Sequence, residues 1–315
     1  MFVPFRLPQY SDEEIAVLGN RSFGENIAAI LNLFFSARLS GWDVDCCIGR
    51  HPVKLRMLGH RIVIAEIWYN LESRYRYIED SMYHRIASVK DSAPTPWFRI
   101  ALRIALLFGI FGHLLASGKT EADIALPSGD FSFVMATWYA RKMGLPVGRI
   151  ICACNENDNV WDLIHRGELN TGAAAVGKQL HGSDAVYPIY LEQLIFDLFG
   201  ADECKRYLEK CRAHSNYQIP EESAKTICDT ISAAVVWKSR VDAIMASFYR
   251  TNAYILDPHT ALSFGAVQDF RAGTGENNTT LIFSEIDPLC LTDRIAPVLG
   301  TSAADLQNML NTDKE

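Results

Sequence analysis

The sequence predicts an α/β fold in two lobes, with mostly parallel sheets and a helix-rich C-terminal half. Three observations carry that expectation. The period of the apolar residues switches repeatedly between two and 3.6 along the chain. The strand-like runs are almost continuously apolar, as in Ile62-Val63-Ile64, which suits strands covered on both faces. The length of 315 residues matches two domains of roughly 100–200 residues each.

In chain order, Ile15 to Leu18 is a short apolar run closed by Gly19 and Asn20, expected as a buried strand. Phe23 to Arg38 has helical spacing through Ile27, Ile30, Leu31, Phe34 and Phe35. Asp43 to Ile48 and Arg61 to Ile67 read as β-like, and Trp68 to Ser88 as an amphipathic helix. Pro94 and Pro96 make Ser92 to Pro96 a stiff linker. This divides the chain into a smaller lobe, 1–91, and a larger one, 92–315. A long apolar helix, Trp97 to Ser117, opens the larger lobe. Strand Ile124 to Leu126, loop Pro127 to Asp130, helix Phe131 to Met143 and strand Arg149 to Ala153 then form a βαβ unit. Val160 to Arg166 is a further helix. Tyr187 to Arg250 reads as almost wholly helical, so 187–250 is expected as a helical insertion. Thr279 to Phe283 is the last strand, followed by a short helical piece.

Composition narrows the function. Thirty Lys and Arg against thirty-seven acids give a net charge of −7, the wrong sign for a nucleic-acid-binding surface. The longest greasy run, Ile100 to Leu115, is interrupted by Arg103 and His113 and is shorter than the ~20 residues of a bilayer span. No membrane association is expected. The N-terminus lacks an apolar h-region with a small-residue cleavage site. Eight cysteines, with Cys46 and Cys47 adjacent, read as thiols in a reducing compartment, so the cytoplasm is the expected location. No histidine has metal-ligand spacing. Cys152 and Cys154 share one face of a strand without further ligands, so no metal site is expected.

Ligands of parallel sheets collect at the carboxyl ends of strands. Four loops qualify: Gly19 to Asn26, Pro127 to Ser132, Cys154 to Val160 and Asp257 to Ala261. Asp257 before Pro258 reads as a helix N-cap, and it stands beside His259, the best acid–base candidate because an imidazole titrates near neutrality. Asn155, Glu156, Asn157 and Asp158 form a polar turn after a strand, able to hold a ligand. Arg21 and Arg99 can grip a carboxylate bidentately.

The residues also spell out a resemblance. Leu126-Pro127-Ser128-Gly129-Asp130-Phe131, then Ala140-Arg141-Lys142-Met143-Gly144-Leu145-Pro146, then Ala153-Cys154-Asn155-Glu156-Asn157-Asp158 follow one another in the order of the threonine synthase family. Tyr190 to Gly200 resembles that family's N-F-E-R-L-L-F-D-L-L-G helix. Tyr254-Ile255-Leu256-Asp257-Pro258-His259-Thr260-Ala261 is similar to its Y-L-L-D-P-H-T-A. Ser22-Phe23-Gly24-Glu25-Asn26-Ile27 stands more faintly where the family has T-S-G-D-T-G, and Trp97-Phe98-Arg99-Ile100 resembles W-A-R-I. The resemblance implies the tryptophan synthase β-like architecture of fold-type-II pyridoxal-phosphate (PLP) enzymes, with the cofactor between two lobes. Members eliminate phosphate from O-phosphohomoserine and add water to give threonine. By family position, Ser128, Gly129, Asp130, Phe131, Ser132 and Thr260 would face the cofactor. Asp257, His259 and Asn155 would serve catalysis. Arg21, Ser22, Asn26, Arg99, Asn157 and Asp158 would face a small-molecule substrate. The resemblance also implies a homodimer.

Departures from the family pattern matter as much. No lysine precedes Lys54, so the sequence predicts that the Schiff-base lysine is absent, and with it the amine that covalent chemistry needs. Asp130 puts a carboxylate where a neutral amide would meet a phosphate. Ser132 adds a Cβ where the family has Gly. Ser284 to Pro288 stands where the family has T-A-H-P, without its His. The expectation is a divergent enzyme that has lost PLP-dependent lyase chemistry and acts on a small metabolite, with specialised-metabolite biosynthesis as a natural setting. Two alternatives stay open: a residual lyase holding PLP non-covalently, and a non-catalytic binding or regulatory relative.

Overall fold

The computed structural model describes residues 7–49, 53–59, 61–67, 72–87, 94–129, 131–172, 190–220 and 226–312. Three capping boxes open it. Ser11, Ser22 and Ser40 each accept a backbone N–H three residues on, while Glu14, Glu25 and Asp43 return the bond. They start α1 (Asp12–Val17), α2 (Phe23–Phe35) and α3 (Gly41–Ile48). Two expectations are corrected here. Ile15 to Leu18 lies in α1 and the 3-10 turn Leu18–Asn20, and Asp43 to Ile48 lies in α3; neither is a strand. The local caps decide what a four-residue apolar run leaves ambiguous.

A hairpin follows, β1 (Lys54–Leu58) and β2 (Ile62–Glu66), and then α4 (Glu72–Ala87). The expected linker becomes a helix entrance: Thr95 caps α5 (Pro96–Ala116) with Pro96 in its first turn. Residues 68–71 and 88–93 lie outside the described residues, and the 91/92 boundary with them. By length and composition α5 could cross a membrane, but most of it is buried inside the protein, packed by α2 on one side. The α2–α5 approach depends on small residues: the Phe23 ring lies over Gly109, and Asn26 over Gly112.

The βαβ unit appears as read, with β3 (Ala122–Pro127), α6 (Ser132–Lys142) and β4 (Val147–Cys154). After it come α7 (Asn159–Arg166), β5 (Glu168–Asn170), α8 (Leu191–Arg212) and β6 (Asn216–Gln218). Gly200 breaks α8 at φ 82°. The 187–250 segment is not simply a helical insertion. Part of it lies outside the described residues, and it contributes β6, α9 (Lys238–Asn252) and a strand of the main sheet, β7 (Ile231–Val235). The chain ends with α10 (Pro258–Thr274), β8 (Thr280–Ser284), α11 (Thr292–Leu299) and α12 (Ala303–Thr312).

The main sheet has the order β1-β2-β8-β3-β4-β7, parallel except for the antiparallel β1. It takes strands from both sides of position 91. One face packs on α2, α5, α6, α7 and α8, the other on α9, α10, α11 and α12. Helices on both faces explain why its strands read as unbroken apolar runs. All five parallel strands present their carboxyl ends at one edge of this layer.

A candidate active site at the carboxyl ends of the strands

Asp257 anchors one half of that edge. It is fully buried and caps α10, accepting the backbone N–H of His259 at 2.9 Å and of Thr260 at 3.1 Å on Oδ1. Its Oδ2 accepts the hydroxyls of Thr260 and, at 3.0 Å, Ser284. Four donors on one carboxylate make Asp257 a positioning residue, which fixes His259 and Thr260 against the end of β8. His259 and Thr260 are both buried.

Beside it lies a cluster that the sequence reading missed. Glu66, at the end of β2, is in register with Ser284 on one side and Lys54 on the other. It is 3% exposed and holds Arg56 Nε at 2.7 Å on Oε1. The Arg56 guanidinium lies 4.6 Å from the Tyr254 ring centroid. Burial first, and then the charge of Glu66, pushes the Tyr254 phenol above its ordinary range. The available signal was a single acid ending the otherwise apolar run Ile62-Val63-Ile64-Ala65.

The neighbouring strand ends carry the other half. Ser128, after β3, is buried and donates its hydroxyl to Cys154 Sγ at 3.4 Å. Burial pushes the Cys154 thiol up to about 12. Phe131 is the N-cap of α6 instead of its first residue; it sits at φ 61° and is buried. A non-glycine residue in the left-handed region is held there by its surroundings. Ser132 is buried behind it, and Asp130 lies outside the described residues. After β4, Asn155 Oδ1 accepts the Asn157 N–H at 2.9 Å, closing a turn of the Asx type. Glu156 Oε1 accepts the Lys238 N–H at 2.7 Å and so caps α9. Asp158 is exposed at the start of α7.

Four further predicted ligand residues lie at the start of α2 and on α5. Arg21 and Ser22 are exposed, and Ser22 is used as a helix cap. Asn26 is buried between α2 and α5, donating to the Leu18 carbonyl at 3.0 Å. Their segment is a capped helix start, in which Ser22 and Glu25 satisfy each other's backbone. Arg99 lies on α5 and pairs with Glu79 Oε1 at 3.0 Å. Burial pushes the Glu79 carboxyl up, against the pull of Arg103 and Arg99. Among the described residues, no group of three or more His, Cys, Asp or Glu side chains is arranged to hold a metal ion.

Comparison with known proteins agrees with this geometry. The chain is 28% identical over 192 residues to the threonine synthase of Pseudomonas aeruginosa, covering 59% of this chain and 39% of that enzyme. It is 24% identical over 174 residues to human threonine synthase-like 1, covering 53% and 23%. The PLP-bound threonine synthase of Brucella melitensis superposes with a TM-score of 0.79 at 15% identity, over 98% of this chain and 88% of that one. Yeast threonine synthase gives 0.78 at 13% identity, over 95% and 84%. The chain is threonine synthase-like. Its fold is that of the type II PLP enzymes, and its sequence match spans 39% of the bacterial relative and 23% of the human one. No family model matches. The threonine synthase-like motifs quoted above fall on β3–α6, between α6 and β4, on β4–α7, on α8 and at the start of α10, and the two fainter ones at the start of α2 and on α5. Those on β3–α6, on β4–α7 and at the start of α10 lie at the carboxyl edge of the sheet.

Proposed function

We propose that this threonine synthase-like protein is an enzyme that acts on a small polar metabolite at the carboxyl edge of its sheet, without PLP-dependent lyase chemistry. The observation that carries this reading is the first turn of α6, where Ser132 stands in the place of the family's Gly. Phe131 is buried in the left-handed conformation, and Ser132, 1% exposed, brings a Cβ into the first turn. A phosphate held at a helix N-terminus needs close backbone approach, and a Cβ at Ser132, where the family has Gly, weighs against the cofactor's phosphate there. The hydroxyls of Thr260 and Ser284 are likewise turned onto Asp257.

The remaining groups suit proton transfer and orientation. His259 is the acid–base group, held by its own backbone bond to Asp257. Glu66 and Tyr254 supply a second carboxylate and phenol on the same edge. Asn155 orients the substrate from the end of β4. A reducing, cytoplasmic setting and a place in amino-acid or specialised metabolism belong to the same proposal.

An absorbance scan of the purified chain with added PLP, before and after borohydride, tests the reading. No band near ~410–430 nm is expected. A band that reduction fixes on a lysine, such as Lys54 beside Glu66, overturns it. Metabolite screening by thermal shift then identifies the ligand, with His259→Gln expected to abolish turnover and preserve the shift.

A further inference from the structure

We propose that a pocket at the flank of the main sheet, between α7 and α10, binds a small organic ammonium ion. Its volume is about 610 Å³, a size suited to a small molecule. The floor is closed, because Ile151 and Ala233 are buried. Trp161 and His165 of α7 wall one side, and Phe270 and Thr274 of α10 the other. Trp237, the N-cap of α9, also lines the pocket and is 61% exposed. Neither Asp257 nor His259 takes part in the lining.

Charge selects the occupant. The lining holds two carboxylates, Asp158 and Asp269, and no lysine or arginine. The cations close by are engaged elsewhere. Arg240 grips Asp269 through Nη1 at 2.6 and 2.7 Å, Lys238 pairs with Asp242, and Arg166 pairs with Asp162. The start of α9, which would favour an anion, is answered by Glu156. Asp158 is the carboxylate left over. It is exposed at the N-cap of α7, yet its side chain caps none of that helix's N–H groups and forms no ion pair among the described residues. The aromatic walls add to this, since the face of an indole attracts a cation more strongly than any other side-chain ring. Trp161 already does so within the chain: the Arg166 guanidinium lies 5.0 Å from its ring centroid, and His165 stacks on it at 4.5 Å. Trp237 makes no ring contact among the described residues, so its indole is the one left for a ligand.

Indole N–H NMR on the full chain tests this, with choline as the probe and dimethylbutanol, its uncharged carbon isostere, as the comparison. Of the six tryptophans, Trp161 and Trp237 are expected to shift saturably with choline. The alcohol should bind at least roughly tenfold more weakly. Asp158→Asn and Trp237→Leu, both at exposed positions, should each weaken choline binding roughly tenfold with unchanged far-UV circular dichroism. Three results overturn the proposal: no saturable shift at these two indoles, equal affinity for the alcohol, or variants that hold choline as tightly as the wild type does. Should one variant fail to fold, the other variant and the isostere comparison still decide.

Discussion

Ser284 Oγ donates to Asp257 Oδ2 at 3.0 Å, tying the end of β8 to the first turn of α10. The same carboxylate caps α10 through His259 and Thr260. Removing it strands four buried donors at once. Asp257→Ala is expected to cost about 3–5 kcal/mol, since each unsatisfied buried donor costs about 1–3 kcal/mol and relaxation recovers part. Ser284→Ala should cost about 1 kcal/mol. Urea unfolding of both variants measures the ratio; equal losses would show that the cap, and not the strand tie, is unimportant.

The Asn26–Gly112 contact is a second sensitive point. A Cβ at Gly112 would stand 2.4 Å from Asn26 Nδ2 and 2.8 Å from the Leu18 carbonyl oxygen. Gly112→Ala is therefore expected to destabilise by about 1–3 kcal/mol through overpacking. Gly273 has open space around its Cβ position and an ordinary helical φ. Gly273→Ala should stabilise by about 0.4–1 kcal/mol. Thermal denaturation of the pair checks the opposite signs.

Thiol reactivity should divide by location. Cys152 and Cys154 are fully buried, and burial pushes both thiols up. Cys46, Cys228 and Cys290 are exposed. Because the thiolate is the reactive form, iodoacetamide at mildly alkaline pH should modify the exposed thiols first and spare Cys152 and Cys154 until unfolding. Peptide mass mapping reads the order.

Asp43 gives a pH prediction. Ser40, through its hydroxyl and its backbone N–H, and then Arg85, hold its carboxyl down at about 2. A depressed carboxylate stabilises the fold above its ordinary value of 3.8, and that contribution fades as pH falls toward the folded-state value. The start of α3 should loosen between these limits. Ser40→Ala removes the first-ranked partner and should raise the Asp43 midpoint toward its ordinary value, as followed by carboxyl-carbon NMR.

Much of this architecture is written in local pattern. The unbroken apolar run of β2, the Gly144 and Pro146 stop after α6, and the Asp257–Pro258 helix start all appear where their chemistry puts them. Ile15 to Leu18 and Asp43 to Ile48 were misread because the apolar run was weighed above the Ser-x-x-Glu and Ser-x-x-Asp boxes that precede or overlap them. Strand β7 escaped notice because Ser and Ala carry little strand signal, and its pairing with β4 is a long-range fact. At the candidate site, motif order pointed to Ser128, Asn155 and Asp257, which lie just after β3, just after β4 and at the start of α10. Glu66 showed only as a lone acid after an apolar run, since its neighbours Ser284 and Tyr254 are remote in sequence. The left-handed Phe131 was equally hidden, because it depends on packing around the loop and not on residue type.

Strand β8 lies in the middle of the sheet, between β2 and β3, although it is the last of the described strands. During synthesis, the β1–β2 hairpin therefore waits for a neighbour made more than two hundred residues later. A lone two-stranded hairpin is marginal in water, and closure over such a span is slow. Ser284 arrives with that same strand, so the buried polar row is completed at the moment the two halves of the sheet join. A chain that still lacks β8 carries no preformed version of the site.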